Sequence, residues 1–242
     1  STGNTAVGYL AGNAVTTGIE NTLIGALAGD ALTDADYNVA VGKSALSADT
    51  LGSGSTAIGY AALNSQNFTS ATDSHNTAVG QYAGAAVTTG VNNTLIGGLA
   101  GDAITTGFSN SLVGKLSGSA LTDADYNVAM GQQSLAQDTQ GSTAVAIGSF
   151  ALGTQNFTTA TNNYNVGVGY AAGGAITTGI KNTLIGALAG DALTDAGFNT
   201  VVGMDALTSD TLGSRSTAIG VGALNGQNFT TATNTYNVAV GM

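Results

Sequence analysis

The sequence has no proline, cysteine or tryptophan, a single histidine, and only four basic residues in 242: Lys43, Lys115, Lys181 and Arg215. Without cysteine there are no disulfides and no thiolate metal sites. Four bases against fourteen acids leave a net charge of −10, and the clustered Lys and Arg that nucleic acid or an anionic membrane demands are missing. Charged residues make up only 7 % of the chain, too few to clothe ordinary helices in water. No apolar run approaches the roughly 20 residues of a membrane-spanning helix, so no membrane insertion is expected. Catalysis has little to work with, because His75 stands alone and no nucleophile or phosphate-loop pattern surrounds it. The chain does not read as an enzyme.

What it does have is repetition. A pentapeptide of the form Asn-Thr-Ala-Val-Gly recurs fourteen times, ending at Gly8, Gly25, Gly42, Gly59, Gly80, Gly97, Gly114, Gly131, Gly148, Gly169, Gly186, Gly203, Gly220 and Gly241. The spacing is 17 residues at ten steps and 21 at the other three. A helical repeat needs about 33 residues or more. Seventeen suits one coil of a parallel β-solenoid, whose coils pair at about 4.8 Å. The expected fold is therefore all-β, a parallel solenoid of about 14 coils over residues 1–242 as one repeat domain. The sequence starts and stops inside the pattern, as a fragment of a longer fibre would.

Numbering each coil from its Asn exposes columns. Position 4 is Val, Ile or Met from Val7 to Val240, and on that uniformity it is expected to face the core. Position 3 is Ala, Leu, Val or Gly throughout. The two side chains leave opposite sides of a strand, so one side fills the coil and the other forms an apolar stripe that calls for association. Position 8 is always Ala or Ser, as a narrow corner requires. Where position 9 is Gly, position 12 is aliphatic (Gly29 with Leu32); where position 9 is Leu, position 12 is Asp or Gln (Leu46 with Asp49). Volume leaves one site and enters another. Position 1 is Asn in eleven coils and position 13 is Thr in ten of thirteen, columns suited to hydrogen-bonded ladders.

STAIG at 55–59 and 216–220, VAIG at 145–148 and VAVG at 238–241 resemble the head repeats of trimeric autotransporter adhesins. The longer pattern over 4–25 and 76–97 resembles phage tail-fibre repeats. What the resemblance implies is a left-handed roll, a side-by-side homotrimer, and an extracellular role in attachment on a virion fibre or cell surface, with a host receptor or glycan as partner. The period is longer than is usual in those adhesin heads.

The three 21-residue coils insert four residues within QNFTSATDSH, QNFTTATNNY and QNFTTATNTY. Loops on a solenoid often bind partners, which marks Phe68, His75, Phe157, Tyr164, Phe229 and Tyr236 as receptor-contact candidates. Against this, Phe68, Phe157 and Phe229 occupy the place that Leu51 and Leu212 take elsewhere, so filling space explains them too. Recurrent acids (Asp30, Asp34 and Asp36 before Asp49; Asp123 and Asp125 before Asp138; Asp191 and Asp195 before Asp210) have the ligand type that calcium takes. The glycine-aspartate nonapeptide of calcium-binding rolls is absent, however, and no cofactor is expected. Two other readings compete with the attachment fibre: a monomeric ice-binding solenoid using the Thr column, and a subunit of an extracellular filament.

Overall fold

The computed structural model describes residues 3–241. The described residues form short strands joined by turns, bends and irregular stretches, with no helix among them. The chain divides into two compact units, Ser1–Asp125 and Tyr126–Met242. Each holds seven coils, and each coil contributes one three-residue strand from its pentapeptide. In the first unit these are Thr5–Val7, Thr22–Ile24, Val39–Val41, Thr56–Ile58, Thr77–Val79, Thr94–Ile96 and Ser111–Val113. In the second they are Val128–Met130, Val145–Ile147, Val166–Val168, Thr183–Ile185, Thr200–Val202, Thr217–Ile219 and Val238–Val240. Within a unit, neighbours pair in parallel with equivalent positions opposite one another, as in Ala6 with Leu23 and Ala57 with Ala78. The fold is the expected parallel β-solenoid.

The glycine that ends each strand is dictated by contact. Gly97 has φ +135, and a methyl group there would sit 2.5 Å from the carbonyl oxygen of Gly114 in the next coil. No side chain fits between coils that approach so closely. Two further corners take left-handed conformations, in most coils without glycine (Gly54 and Gly222 are exceptions). The seventh residue does so at Leu27, Tyr82 and Phe150, and the last residue of the coil at Glu20, Tyr37, His75, Lys181 and Arg215. Each such residue costs about 1 kcal/mol or more, a cost that only the stacked neighbours offset.

Which face is inside differs from the expectation. Position 3 fills the core: Leu23, Ala40, Ala57, Ala78, Leu95 and Leu112 have essentially no exposure. Position 4, expected to face inward, points out, with Ile24 39 % and Ile96 38 % exposed. The physical reason lies in the size pattern. A core position must change volume when its neighbours do, whereas an outer sheet face tolerates the same β-branched residue in every coil.

That exchange involves three positions. A methyl on Gly29 would meet Leu23 Cδ2 at 2.7 Å and Leu32 Cδ1 at 2.8 Å. In the next coil Leu46 takes the glycine's place, Ala40 replaces the leucine at position 3, and Asp49 replaces the leucine at position 12. Both arrangements bury their apolar side chains fully, each large one contributing about 2 kcal/mol.

The asparagine column forms the second spine. Asn21 Nδ2 donates to Ala35 O at 2.7 Å within its own coil, and its Oδ1 accepts from the backbone N–H of Asn38 at 2.9 Å. Asn38 repeats the pattern with Gly52 O and Ser55 N. These side chains are buried, and each one closes its coil while holding the next.

Candidate functional site

Positions 2 and 4 of the strand share its outer face, because side chains two apart point the same way. In both units that face carries mostly half-buried Thr or Val beside exposed Ile or Met, or mostly half-buried Val, as in Thr56 with Ile58 and Thr183 with Ile185. Ile58, Ile96, Ile147, Ile185 and Ile219 are each 37–40 % exposed. The result in each unit is a regular apolar surface with a row of hydroxyls set into it. Exposed isoleucines alternate along it with the half-buried Val41 and Val79 in the first unit and Val168 and Val202 in the second.

The residues proposed from the long coils separate into two groups. Phe68 and Phe157 are buried, 5 % and 6 % exposed, and fill space as their Leu counterparts suggested. Phe229 is half-buried. Each is held by its backbone: the N–H groups of Phe68, Phe157 and Phe229 donate to Asp49, Asp138 and Asp210 respectively. His75, Tyr164 and Tyr236 are exposed at the left-handed last position of their coils. The inserted residues surface as exposed stretches at 69–71 and 158–160. They then rejoin the body through short parallel pairs, Gly52–Ser53 with Thr72–Asp73 and Gly141–Ser142 with Thr161–Asn162.

The last-position column of the second unit also gathers cations that sequence reasoning passed over. Arg215 lies over the Phe198 ring at 4.6 Å and over Tyr236 at 5.9 Å, and Lys181 lies over Phe198 at 5.2 Å. The signal was present in the sequence, since these residues all directly precede a coil's first position, Asn or Ser.

The acids act as links between coils. Asp123 Oδ1 accepts from Thr106 at 2.6 Å and Thr105 at 2.8 Å, and those hydroxyls hold its carboxyl below the usual range. Thr177 and Thr178 do the same for Asp195. Thr17 likewise donates to Asp34. Asp49, Asp138 and Asp210 are buried, and the Oδ1 of each accepts two backbone N–H groups. Among the described residues no three His, Cys, Asp or Glu side chains come together as a metal site would need. Asp102 and Asp191 differ: burial raises their carboxyls above the ordinary value, and each keeps a buried Oδ1 with no partner.

The threonine column is also committed internally. Thr16, Thr33, Thr88 and Thr194 donate their hydroxyls to the carbonyl of the equivalent Thr in the next coil. It is a structural ladder. Comparison with protein-family models, with curated proteins and with solved structures finds no match. No helix among the described residues is long and apolar enough to cross a membrane.

Proposed function

We propose that this chain is a shaft segment of an extracellular attachment fibre, without catalytic activity, in which three copies lie side by side along the outer strand face. The observation that carries the reading is the position-4 column, where exposed Ile24, Ile58 and Ile96 alternate with half-buried Val41 and Val79 in one unit, and Ile147, Ile185 and Ile219 with Val168 and Val202 in the other. Burying such a stripe against a copy of itself removes apolar area from water at about 25 cal/mol per Å². The number three comes from the resemblance of the pentapeptides to trimeric adhesin heads. On this reading the coils are spacers, and the exposed bulges with His75, Tyr164 and Tyr236 meet a host receptor or glycan.

The test is mass in solution by light scattering, with the double variant Ile58→Lys, Ile96→Lys alongside. Both residues are exposed in the single chain, so the variant should keep its β signal while the trimer dissociates. A wild-type chain that is monomeric at micromolar concentration would end the assembly reading.

A second reading rests on a specific feature of the same face. The outward hydroxyls of Thr22, Thr56, Thr94 and Thr183 have no intramolecular hydrogen bond, unlike the Thr ladder described above. Threonine holds this position in the successive coils of Thr56, Thr77 and Thr94 in one unit and of Thr183, Thr200 and Thr217 in the other, about 4.8 Å apart from coil to coil. A monomer presenting this face to ice would show thermal hysteresis, lost in the same double Lys variant. Assembly and ice binding compete for one surface, so the mass measurement decides between them.

A further inference from the structure

The second unit carries a groove of about 470 Å³, within the size range of small-ligand sites. It exists because three successive coils have almost nothing at position 10: Ala136, Gly153 and Gly174. Asp191 occupies the same position in the next coil and closes that end of the floor. One wall carries Gln133 and the exposed ring of Phe150, and the other carries Gln137 and Thr154. Four coils at about 4.8 Å per step make the floor about 14 Å long.

We propose that this groove binds a short neutral oligosaccharide. Three observations select that class. The main chain lining the groove is already spent: Gly153 N donates to Phe150 O, Gly174 N to Ala171 O, and Ala175 N to Asp191 O. A peptide adding itself as a strand therefore finds no free edge. An anionic polymer meets a chain of net charge −10 and the Asp191 carboxylate at the floor's end. What remains for recognition is a flat aromatic ring, the Gln133 and Gln137 amides that make no side-chain hydrogen bond in the fold, and a carboxylate acceptor. A sugar ring presents an apolar C–H face to the first and hydroxyl groups to the others, which donate to carboxylate and amide oxygens and accept from amide N–H.

The inference deepens the attachment reading by giving it a ligand class and a place, yet the groove is built within one chain. A monomer that binds sugar would sink the assembly and keep the groove; a trimer that binds none would do the reverse. The experiment exposes the full chain to an array of short neutral and acidic oligosaccharides, followed by saturation-transfer NMR on the hits. Gln137→Ala and Phe150→Ala are compared with Gln81→Ala, an exposed residue of the other unit. Binding of a neutral sugar that weakens about tenfold in both groove variants and holds in the control is the expected result. Gln137 is exposed and without an internal side-chain bond, so its variant stays informative if Phe150→Ala disturbs the fold. No neutral sugar bound, binding of acidic sugars alone, or binding indifferent to Gln137→Ala would each overturn the proposal.

Discussion

The amide of Gln155 donates to Asp138 Oδ2 at 2.6 Å in a site closed to solvent, joining two successive coils. Asp138 Oδ1 accepts from Gly141 N and Phe157 N, and Gln155 Oε1 accepts from Asn165 Nδ2 at 2.8 Å. Asp49 with Gln66 repeats the arrangement in the first unit. Asp138→Ala would leave three buried donors unpaired, at about 1–3 kcal/mol each. The expected outcome is loss of hydrogen-exchange protection at the Gly141 and Phe157 amides, with the coils of the first unit still protected. Unchanged exchange at both amides would contradict this account.

Two adjacent glycines should behave oppositely. A methyl on Gly97 meets the Gly114 carbonyl at 2.5 Å, whereas one on Gly98 finds only Gln81 O, at 4.0 Å. Gly97→Ala should destabilise by about 3 kcal/mol or more, through the left-handed backbone and the clash together. Gly98→Ala should be neutral or gain about 0.4–1 kcal/mol from a less disordered unfolded chain. Chemical denaturation of the two variants checks the contrast.

The core exchange predicts a coupling. Gly29→Leu alone must displace Leu23 and Leu32, an overpacking of about 1–3 kcal/mol or more. Leu23→Ala alone opens a cavity costing about 2–5 kcal/mol. Combined, they recreate part of the Ala40 and Leu46 arrangement of the next coil, so the double variant should be more stable than the sum by about 1–3 kcal/mol. Additive effects in a double-mutant cycle would refute the shared-volume account.

Asp102 gives a pH-dependent prediction. Burial raises its carboxyl above the ordinary value, only partly offset by its own backbone hydrogen bond, and its Oδ1 has no partner. A raised carboxyl pKa means that the charged form costs stability above the folded-state pKa, a cost that disappears below the unfolded-state value. Asn64 holds the same coil position, and with its nitrogen turned inward its amide would donate to Ala85 O at 2.9 Å and Ala61 O at 3.2 Å. Asp102→Asn should therefore raise the melting temperature by about 1–2 °C at pH 7. The gain should shrink as pH falls through the carboxylate range. Asp123 runs the other way: its lowered pKa contributes stability at neutral pH that is lost as pH falls.

The period and the two fillings of the core were legible because they follow from spacing and volume, which a sequence carries explicitly. The inward column was misread because Ile24 and its equivalents are apolar in every coil, and alternation alone does not say which apolar face is inside. The useful clue was in Leu23 against Ala40, since position 3 takes Leu only where position 9 is Gly. Phe68 and Phe157 are buried, as the Leu51 and Leu212 equivalents suggested, beside the Asp49 and Asp138 carboxylates that hold their backbones. The groove below Phe150 could not be read from any one coil. It appears only when Ala136, Gly153 and Gly174 are set one above another, and their smallness matters only because the coils on either wall carry larger groups.

The left-handed corners have a consequence for how the chain acquires its form. A lone coil would hold residues such as Leu27 and Glu20 in an unfavourable backbone conformation while gaining almost no neighbour contacts to offset it. The first few turns are therefore uphill, and every later one settles onto a finished template. Growth of this kind starts rarely and then runs quickly, so partly wound chains should be scarce at equilibrium.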